Sequence, residues 1–220
     1  MSAPLIEACV ESAASGRAAQ ADGAGRIELC ENLAVGGVTP ALAQVAEARK
    51  ALGIGVFVLI RPRGGDFVYS AQEYDAMERD VAAVRVLGAA GIVIGGLTAR
   101  GDVDQPGMRR LLAAAGPLPA TFHRAFDQLR DPRAALETLI ALGFRRVLTS
   151  GQAATAAGGI PLLAALVQQA RGRIGILAGG AIDETNVARI VRETGVAEIH
   201  LRGSRLQRTA RALAARAAAP

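Results

Sequence analysis

The 220-residue sequence contains no tryptophan, only 3% aromatic residues and a single lysine, Lys50. Its formal net charge of +5 could indicate a nucleic-acid-binding protein. However, the arginines are scattered along the chain, and the aromatic side chains on which unpaired bases stack are scarce. We therefore predict that nucleic acid is not a partner of this protein.

Long apolar runs are also missing. No run approaches the roughly 20 residues that a membrane-spanning helix needs, and the first residues, MSAPLIEACVES, lack a basic leader followed by an apolar stretch and a cleavage site. We expect a cytoplasmic protein with no membrane partner. Cysteine is limited to Cys9 and Cys30, which in such a protein are expected to be reduced thiols, because structural disulfides belong to oxidising compartments.

One pattern is repeated along the chain: an apolar strand, a polar turn, an Ala/Leu-rich helix and a glycine that ends it. The predicted strands are Leu5 to Val10, Arg26 to Cys30, Val56 to Arg61, Gly91 to Leu97, Pro119 to Arg124, Arg146 to Ser150, Ile174 to Gly179 and Ala197 to Arg202. The helices predicted between them are Ser12 to Ala21, Pro40 to Leu52, Ala71 to Leu87, Pro106 to Ala115, Pro132 to Leu142, Ile160 to Ala170 and Glu184 to Thr194. Ser70, Asp131 and Asp183 are predicted helix caps.

Eight evenly spaced strand and helix units predict an α/β protein, a compact closed (β/α)8 TIM barrel that forms one domain over residues 1–220. A doubly wound open sheet is the alternative, but no GxGxxG motif follows the first strand. The final unit is short, because Ser204 to Pro220 must supply the whole eighth helix, and we expect its end to be frayed.

The turn after the third predicted strand carries two positive charges. Arg61 and Arg63 flank a proline and precede Gly64, Gly65 and Asp66. Loops at the carboxyl ends of barrel strands form the active sites of this fold, and guanidinium groups are suited to binding anions. The turn is therefore predicted to form one wall of an anion-binding site.

Strands one and two share an unusual pattern, since LIEAC and RIELC each place a glutamate two residues before a cysteine. Matching positions on adjacent strands about 5 Å apart predict that Glu7 lies beside Glu28 and Cys9 beside Cys30. The two carboxylates would raise each other's proton affinity. Two thiolates could hold Cu(I) or form one edge of a zinc site, although buried cysteines also occur as small apolar core residues.

Buried glutamates need partners, and the predicted ones are arginines at the same rim: Arg61, Arg63, Arg124 and Arg202. The two histidines, His123 in TFHRAFD and His200 in EIHLRG, fall near the same strand ends. A single strand histidine is usually a core residue, but this convergence favours a functional site. The turns at Ser150 and Gly151 and at Gly179 and Gly180 either bind phosphate or are tight turns without a ligand.

Four segments, RIELCENLAVGGVTP, IRPRGGDFVYS, ATFHRAFD and RVLTSGQ, resemble the signatures of the CutC family of copper homeostasis proteins. The similarity runs in order from about residue 5 to residue 202. It implies a TIM barrel, a cytoplasmic location, self-association into a homo-oligomer and a role in handling Cu(I). It also implies that Cys9 and Cys30 are the copper ligands.

Two functions are therefore predicted. In the first, a copper homeostasis protein binds Cu(I) through the cysteine pair and needs no organic cofactor. In the second, an enzyme acts on a small phosphorylated or carboxylated anion, with Glu28 and His123 as general base and acid and Arg61 as a further catalytic candidate. The substrate-binding candidates are Arg61, Arg63, Asp66, Arg124, Ser150, Gly151, Gly179, Gly180 and His200. The resemblance favours the first function, and the inward arginines favour the second.

Overall fold

The structure, a computed structural model, describes residues 3–217 as a closed barrel of eight parallel strands, with each strand paired to the next and β8 paired to β1. The strands are β1 Leu5–Val10, β2 Arg26–Leu29, β3 Gly55–Leu59, β4 Gly91–Ile94, β5 Ala120–Phe122, β6 Arg146–Thr149, β7 Gly175–Gly179 and β8 Glu198–Arg202. The helices are α1 Ala13–Ala21, α2 Leu42–Ala51, α3 Ala71–Val86, α4 Gln105–Ala115, α5 Pro132–Leu142, α6 Ile160–Ala170, α7 Val187–Thr194 and α8 Leu206–Ala217. The predicted (β/α)8 TIM barrel is confirmed.

Side-chain caps begin four of the helices: α1, α3, α4 and α5. Ser70 and Glu73 form a capping box at the start of α3, and Asp131 accepts hydrogen bonds from the first amides of α5. The predicted start of the seventh helix was wrong: Asp183 accepts a hydrogen bond from the Thr185 amide in a turn, and α7 begins at Val187.

In the last unit the loop between strand and helix is short, whereas the helix has 12 residues. A 3-10 turn at Gly203–Arg205 follows β8 and leads directly into α8. The segment predicted for the eighth helix ran on to Pro220, and its residues 218–220 lie outside the described residues.

The pairing of β1 with β2 differs from the prediction. Cys9 lies opposite Glu28, and Glu7 lies opposite Arg26, so β2 is shifted by two residues from the position that places Glu7 beside Glu28. Closing a sheet of tilted strands into a barrel requires a cumulative stagger between neighbours. Matching positions within two similar segments therefore do not have to pair.

Apolar side chains form two cores. The larger lies between the barrel and its helices, and a small one inside the barrel contains Cys9, Cys30, Phe57, Leu59 and Val93. A Cβ atom at Gly91 would lie 2.1 Å from the Phe57 ring, so a side chain there would clash with Phe57. The Phe57 ring thus fills the inside of the barrel near the amino ends of the strands.

Over the described part of the chain, no helix has the length and apolar character needed to cross a membrane.

Candidate functional site

A cavity of about 800 Å³ lies at the carboxyl ends of the strands. The site residues predicted from the sequence that line it are Cys9, Glu28, Arg61, His123, Arg124, Gly180 and His200. Those that do not line it are Cys30, Arg63, Asp66, Ser150, Gly151 and Gly179. Side chains from distant parts of the chain therefore meet at one opening, as in other barrels of this type.

The two cysteines meet at the base of the cavity. The Cys9 Sγ atom lies 3.5 Å from the Cys30 Sγ atom and 3.6 Å from Glu28 Oε1. Both are free thiols. Cys9 faces the cavity, whereas Cys30 is fully buried behind it and approaches the Val10 carbonyl oxygen at 3.7 Å. The hydrogen bond to Cys30 and burial raise the pKa of the Cys9 thiol well above its usual value.

Glu28 is buried beside Cys9 without an ion pair in the structure as described. Its Oε2 atom has no hydrogen-bond partner within residues 3–217. Burial raises the pKa of this carboxyl above its usual value, although the charge of His200 opposes the shift. A buried carboxylate oxygen without a partner is costly, so Glu28 is suited to receiving a ligand.

Glu7 has partners other than the predicted arginines. Its carboxylate pairs with Arg26, and Arg26 also pairs with Glu198. Arg146 Nε donates to Glu198 at 3.0 Å. The predicted rim arginines are therefore not the partners of the buried glutamates. Arg26 could have been found from the strand alternation, because it lies two residues before Glu28 and shares its face.

His200 completes this buried network. Its Nδ1 atom lies 2.7 Å from Glu7 Oε1. Burial alone would raise the pKa of Glu7, but the hydrogen bond and charge of His200, together with Arg26, lower it to about 2. For His200, burial opposes protonation, and the hydrogen bond to Glu7 nevertheless raises the pKa. The imidazole is thus held by an ionised carboxylate at the edge of the cavity.

Arg61 connects the loops around the cavity mouth by hydrogen bonds. Its guanidinium donates to the carbonyl oxygens of Val35, Gly37 and Gly65 at 3.1, 3.0 and 2.9 Å. It also stacks on Phe67, with 4.8 Å between Cζ and the ring centroid. Most of its donors are therefore used by the protein itself, although its positive charge remains at the cavity wall.

Arg63 and Asp66 lie away from the predicted site. Arg63 donates to Asp66 Oδ1 at 3.0 Å and to Glu73 Oε1 at 2.5 Å, next to the cap of α3. The side chain of Arg63 is 39% exposed. The charge pair in this turn therefore positions the loop and does not clamp an anion in the cavity.

The predicted phosphate-binding turn after β6 is filled by a side chain of the protein. Asp127 Oδ1 accepts hydrogen bonds from the Ser150 amide at 3.1 Å, the Gln152 amide at 3.0 Å and the Thr149 hydroxyl at 2.5 Å. Arg124 pairs with Asp127 and donates to Ser150 Oγ at 3.0 Å. Ser150 and Gly151 are thus not available to a phosphate.

His123 is held as a neutral imidazole. Its Nδ1 atom accepts a hydrogen bond from the Ala125 amide at 3.1 Å, and its ring lies against Gly95, where a Cβ atom would approach to 2.5 Å. Burial and the charge of Arg61 lower the pKa of His123 to about 3. Because Nδ1 is an acceptor, the ring proton is on Nε2, which has no partner among the described residues.

His123 is expected to make the protein sensitive to acid. Its folded-state pKa of about 3 lies below the unfolded value of about 6.5, so the unfolded chain binds more protons between these values. The contribution of His123 to the free energy of unfolding must then fall as the pH decreases through this range, by about 2 kcal/mol between pH 7 and pH 5. His200, whose pKa is raised, contributes in the opposite direction. Urea unfolding at both pH values, compared between the wild type and a variant without the His123 imidazole, measures the loss that is due to His123.

The matched variant is His123→Asn, whose side-chain oxygen can still accept from the Ala125 amide. We expect its free energy of unfolding to fall less than that of the wild type between pH 7 and pH 5. Equal losses in the two proteins would contradict a neutral, buried His123.

Comparisons with known proteins show the family of this chain. The CutC family profile matches residues 4–205. A CutC family protein of Mesorhizobium japonicum is 53% identical over 197 residues, covering 90% of this chain and 76% of its own length. The copper homeostasis protein cutC homolog of Mus musculus is 48% identical over 196 residues, covering 89% of this chain and 72% of its own length. The crystal structure of the CutC protein from Streptococcus agalactiae superimposes with a TM-score of 0.86 and 38% identity, covering 90% of this chain and 97% of its own length.

Proposed function

The chain belongs to the CutC family, and on that premise we propose that it is a copper homeostasis protein that binds Cu(I) as its cargo through Cys9 and Cys30. The observation that carries the proposal is the distance of 3.5 Å between the two Sγ atoms at the base of the cavity. Soft thiolate ligands select Cu(I) over hard cations. Two thiols that meet from different strands are a suitable donor set for this ion.

The positions of the two sulfur atoms are suited to a copper site with a bent S–Cu–S angle. With metal–sulfur bonds of about 2.3 Å, a linear site needs sulfur atoms about 4.6 Å apart. The observed separation of 3.5 Å is shorter and leaves a third position beside the pair. Glu28 lies at this position, with Oε1 at 3.6 Å from Cys9 Sγ and Oε2 without a partner in the described chain. Cys9, Glu28 and Cys30 are close enough to act on one ion.

A second group of possible ligands, Glu7, Glu28 and His200, is less suitable. Their ligand atoms lie within 4.8 Å of one another, but Glu7 already pairs with Arg26 and accepts the hydrogen bond from His200. A metal ion there would have to displace a buried ion pair, which is costly. We therefore assign the copper to the cysteine pair.

The enzyme alternative has less support. His123 is neutral at pH 7, Arg63 pairs with Asp66 and Glu73 outside the cavity, and Asp127 fills the turn predicted for phosphate. General acid catalysis needs a group whose pKa lies near the working pH. The cytoplasmic location and the homo-oligomer that the family resemblance implies remain part of the proposal.

Titration of the reduced protein with Cu(I), against a chelator that competes for the ion, tests the proposal. We expect one copper ion per chain, bound tightly enough to be withheld from the chelator. X-ray absorption should show sulfur neighbours at about 2.3 Å. A copper ion surrounded by oxygen and nitrogen alone, or protein that yields all its copper to the chelator, would contradict the cysteine site.

A further inference from the structure

The cavity is much larger than a copper ion needs. Its volume is about 800 Å³, whereas a metal ion takes no more than about 30 Å³, the share of one water molecule in the liquid. Cavities between roughly 300 and 1,000 Å³ hold small organic ligands. The cysteine pair explains the base of the cavity but not the space above it.

Positive charge predominates around this space. Four arginines line the cavity, against the carboxylates of Glu28 and Asp183. The arginines are Arg61, Arg124, Arg202 and Arg205. Arg124 pairs with Asp127, and Arg205 lies 3.8 Å from Asp183. Arg61 and Arg202 make no ion pair in the part of the chain that the structure describes, so their charges are not cancelled by a carboxylate.

The wall of the cavity also offers a buried hydrogen-bond donor. His123 is 5% exposed, its ring lines the cavity, and its Nε2–H has no partner among residues 3–217. An unpaired buried donor is unfavourable, so an acceptor atom of a ligand would be favourable there. Leu33, Val35, Leu59, Phe67 and Leu148 provide apolar surface. An organic molecule with carboxylate groups matches this combination.

We propose that this cavity binds an anionic low-molecular-weight thiol, and that Cu(I) reaches Cys9 as the thiolate complex of that molecule. This inference rests on the proposed function, because it concerns how the cargo arrives. Cys9 lies at the cavity surface and Cys30 behind it, so Cys9 meets the complex first.

The transfer balances without an oxidant or a reductant. The copper centre of a complex with two donor thiolates carries one negative charge, and the carboxylates of an anionic donor add to it. Two bonds from copper to donor sulfur break, and two bonds from copper to Cys9 and Cys30 form. The protons of the two cysteine thiols pass to the two departing thiolates, which leave as thiols. Copper remains Cu(I), and the bound complex keeps a single negative charge.

The experiment compares two donors at low ionic strength: Cu(I) with glutathione, which is anionic, and Cu(I) with 2-mercaptoethanol, which carries no carboxylate. Arg202→Glu is the test variant. Arg17→Glu makes the same charge change on α1, where Arg17 is exposed and does not line the cavity. We expect Arg202→Glu to slow transfer from the glutathione complex about 10-fold, since charge steers association by 10-fold or more. Transfer from the 2-mercaptoethanol complex, which carries only the single negative charge of its copper centre, should slow much less. Both transfers to Arg17→Glu should keep wild-type rates.

A second measurement does not depend on the folding of a variant. S-methylglutathione keeps the carboxylates but has no free thiol, so it should occupy the cavity and slow copper transfer from glutathione to the wild type. If S-methylglutathione has no effect, or if Arg202→Glu slows copper transfer from both donors equally, the inference is overturned. If neither donor loads the wild type with copper, the proposed function itself fails. If both donors load the protein with copper at rates that do not depend on their charge, the inference of an anionic carrier is refuted and the proposed function is not.

Discussion

Replacing Cys9 and Cys30 together with serine is expected to weaken Cu(I) binding by at least about 10³-fold, because both soft ligands are lost and hydroxyl oxygens are poor ligands for this ion. Serine is close to cysteine in size, and the Val10 carbonyl that lies 3.7 Å from Cys30 Sγ can accept a hydrogen bond from the new hydroxyl. The fold should therefore tolerate the change. Competition with a Cu(I) chelator measures the affinity.

Two further variants serve as controls for this result. Met77→Leu removes a buried sulfur atom from α3, outside the cavity, and should leave the affinity unchanged. Glu28→Gln keeps both thiols and alters their buried neighbour, so a loss of about 10- to 100-fold is expected. Unchanged affinity in the double cysteine variant would exclude the pair as the copper site.

Arg26→Met is expected to lower the free energy of unfolding by about 3–5 kcal/mol, since removing one partner of a buried ion pair leaves an uncompensated charge. Arg26 is 4% exposed and pairs with both Glu7, which is fully buried, and Glu198. Its guanidinium also stacks on Phe57 at 5.4 Å. Methionine keeps much of the apolar stem and removes the charge. Urea unfolding at pH 7 measures the change.

Arg110 provides a matched control for the buried pair. It also contacts two carboxylates, those of Asp75 and Glu78, but it lies on the surface, where ion pairs contribute little. Arg110→Met should leave the unfolding midpoint nearly unchanged. Adding Glu7→Gln to Arg26→Met should recover part of the lost stability, because the unpaired charge is then removed. Equal losses for Arg26→Met and Arg110→Met would show that burial of the network has no energetic consequence.

The sequence patterns predicted the cysteine pair for a reason that was partly wrong. Cys9 and Cys30 were expected to be direct neighbours, but Cys9 pairs with Glu28 and reaches Cys30 diagonally. Both residues still face the barrel interior, because side chains alternate along each strand. A shift of two residues preserves the inward face, so the prediction that the two sulfur atoms meet is confirmed although the predicted pairing is not.

The arginines were harder to interpret from the sequence. Arg61 and Arg124 end predicted strands and Arg63 follows one, yet only Arg61 and Arg124 line the cavity. Arg63 turns toward Glu73, and Asp127 enters the turn at Ser150. A long side chain has several partners within reach, and which one it takes depends on loops that are distant in sequence.

The sequence by itself determined the number and order of the strand and helix units, the inward face of each strand and the family, because these depend on local periodicity and on short motifs. Only the tertiary structure decided the stagger of the strands, the pairing of Glu7 with Arg26, the neutral state of His123 and the size of the cavity. The stagger follows from closing all eight strands at once, and the state of a buried charge follows from every group around it. No single segment of the chain contains that information.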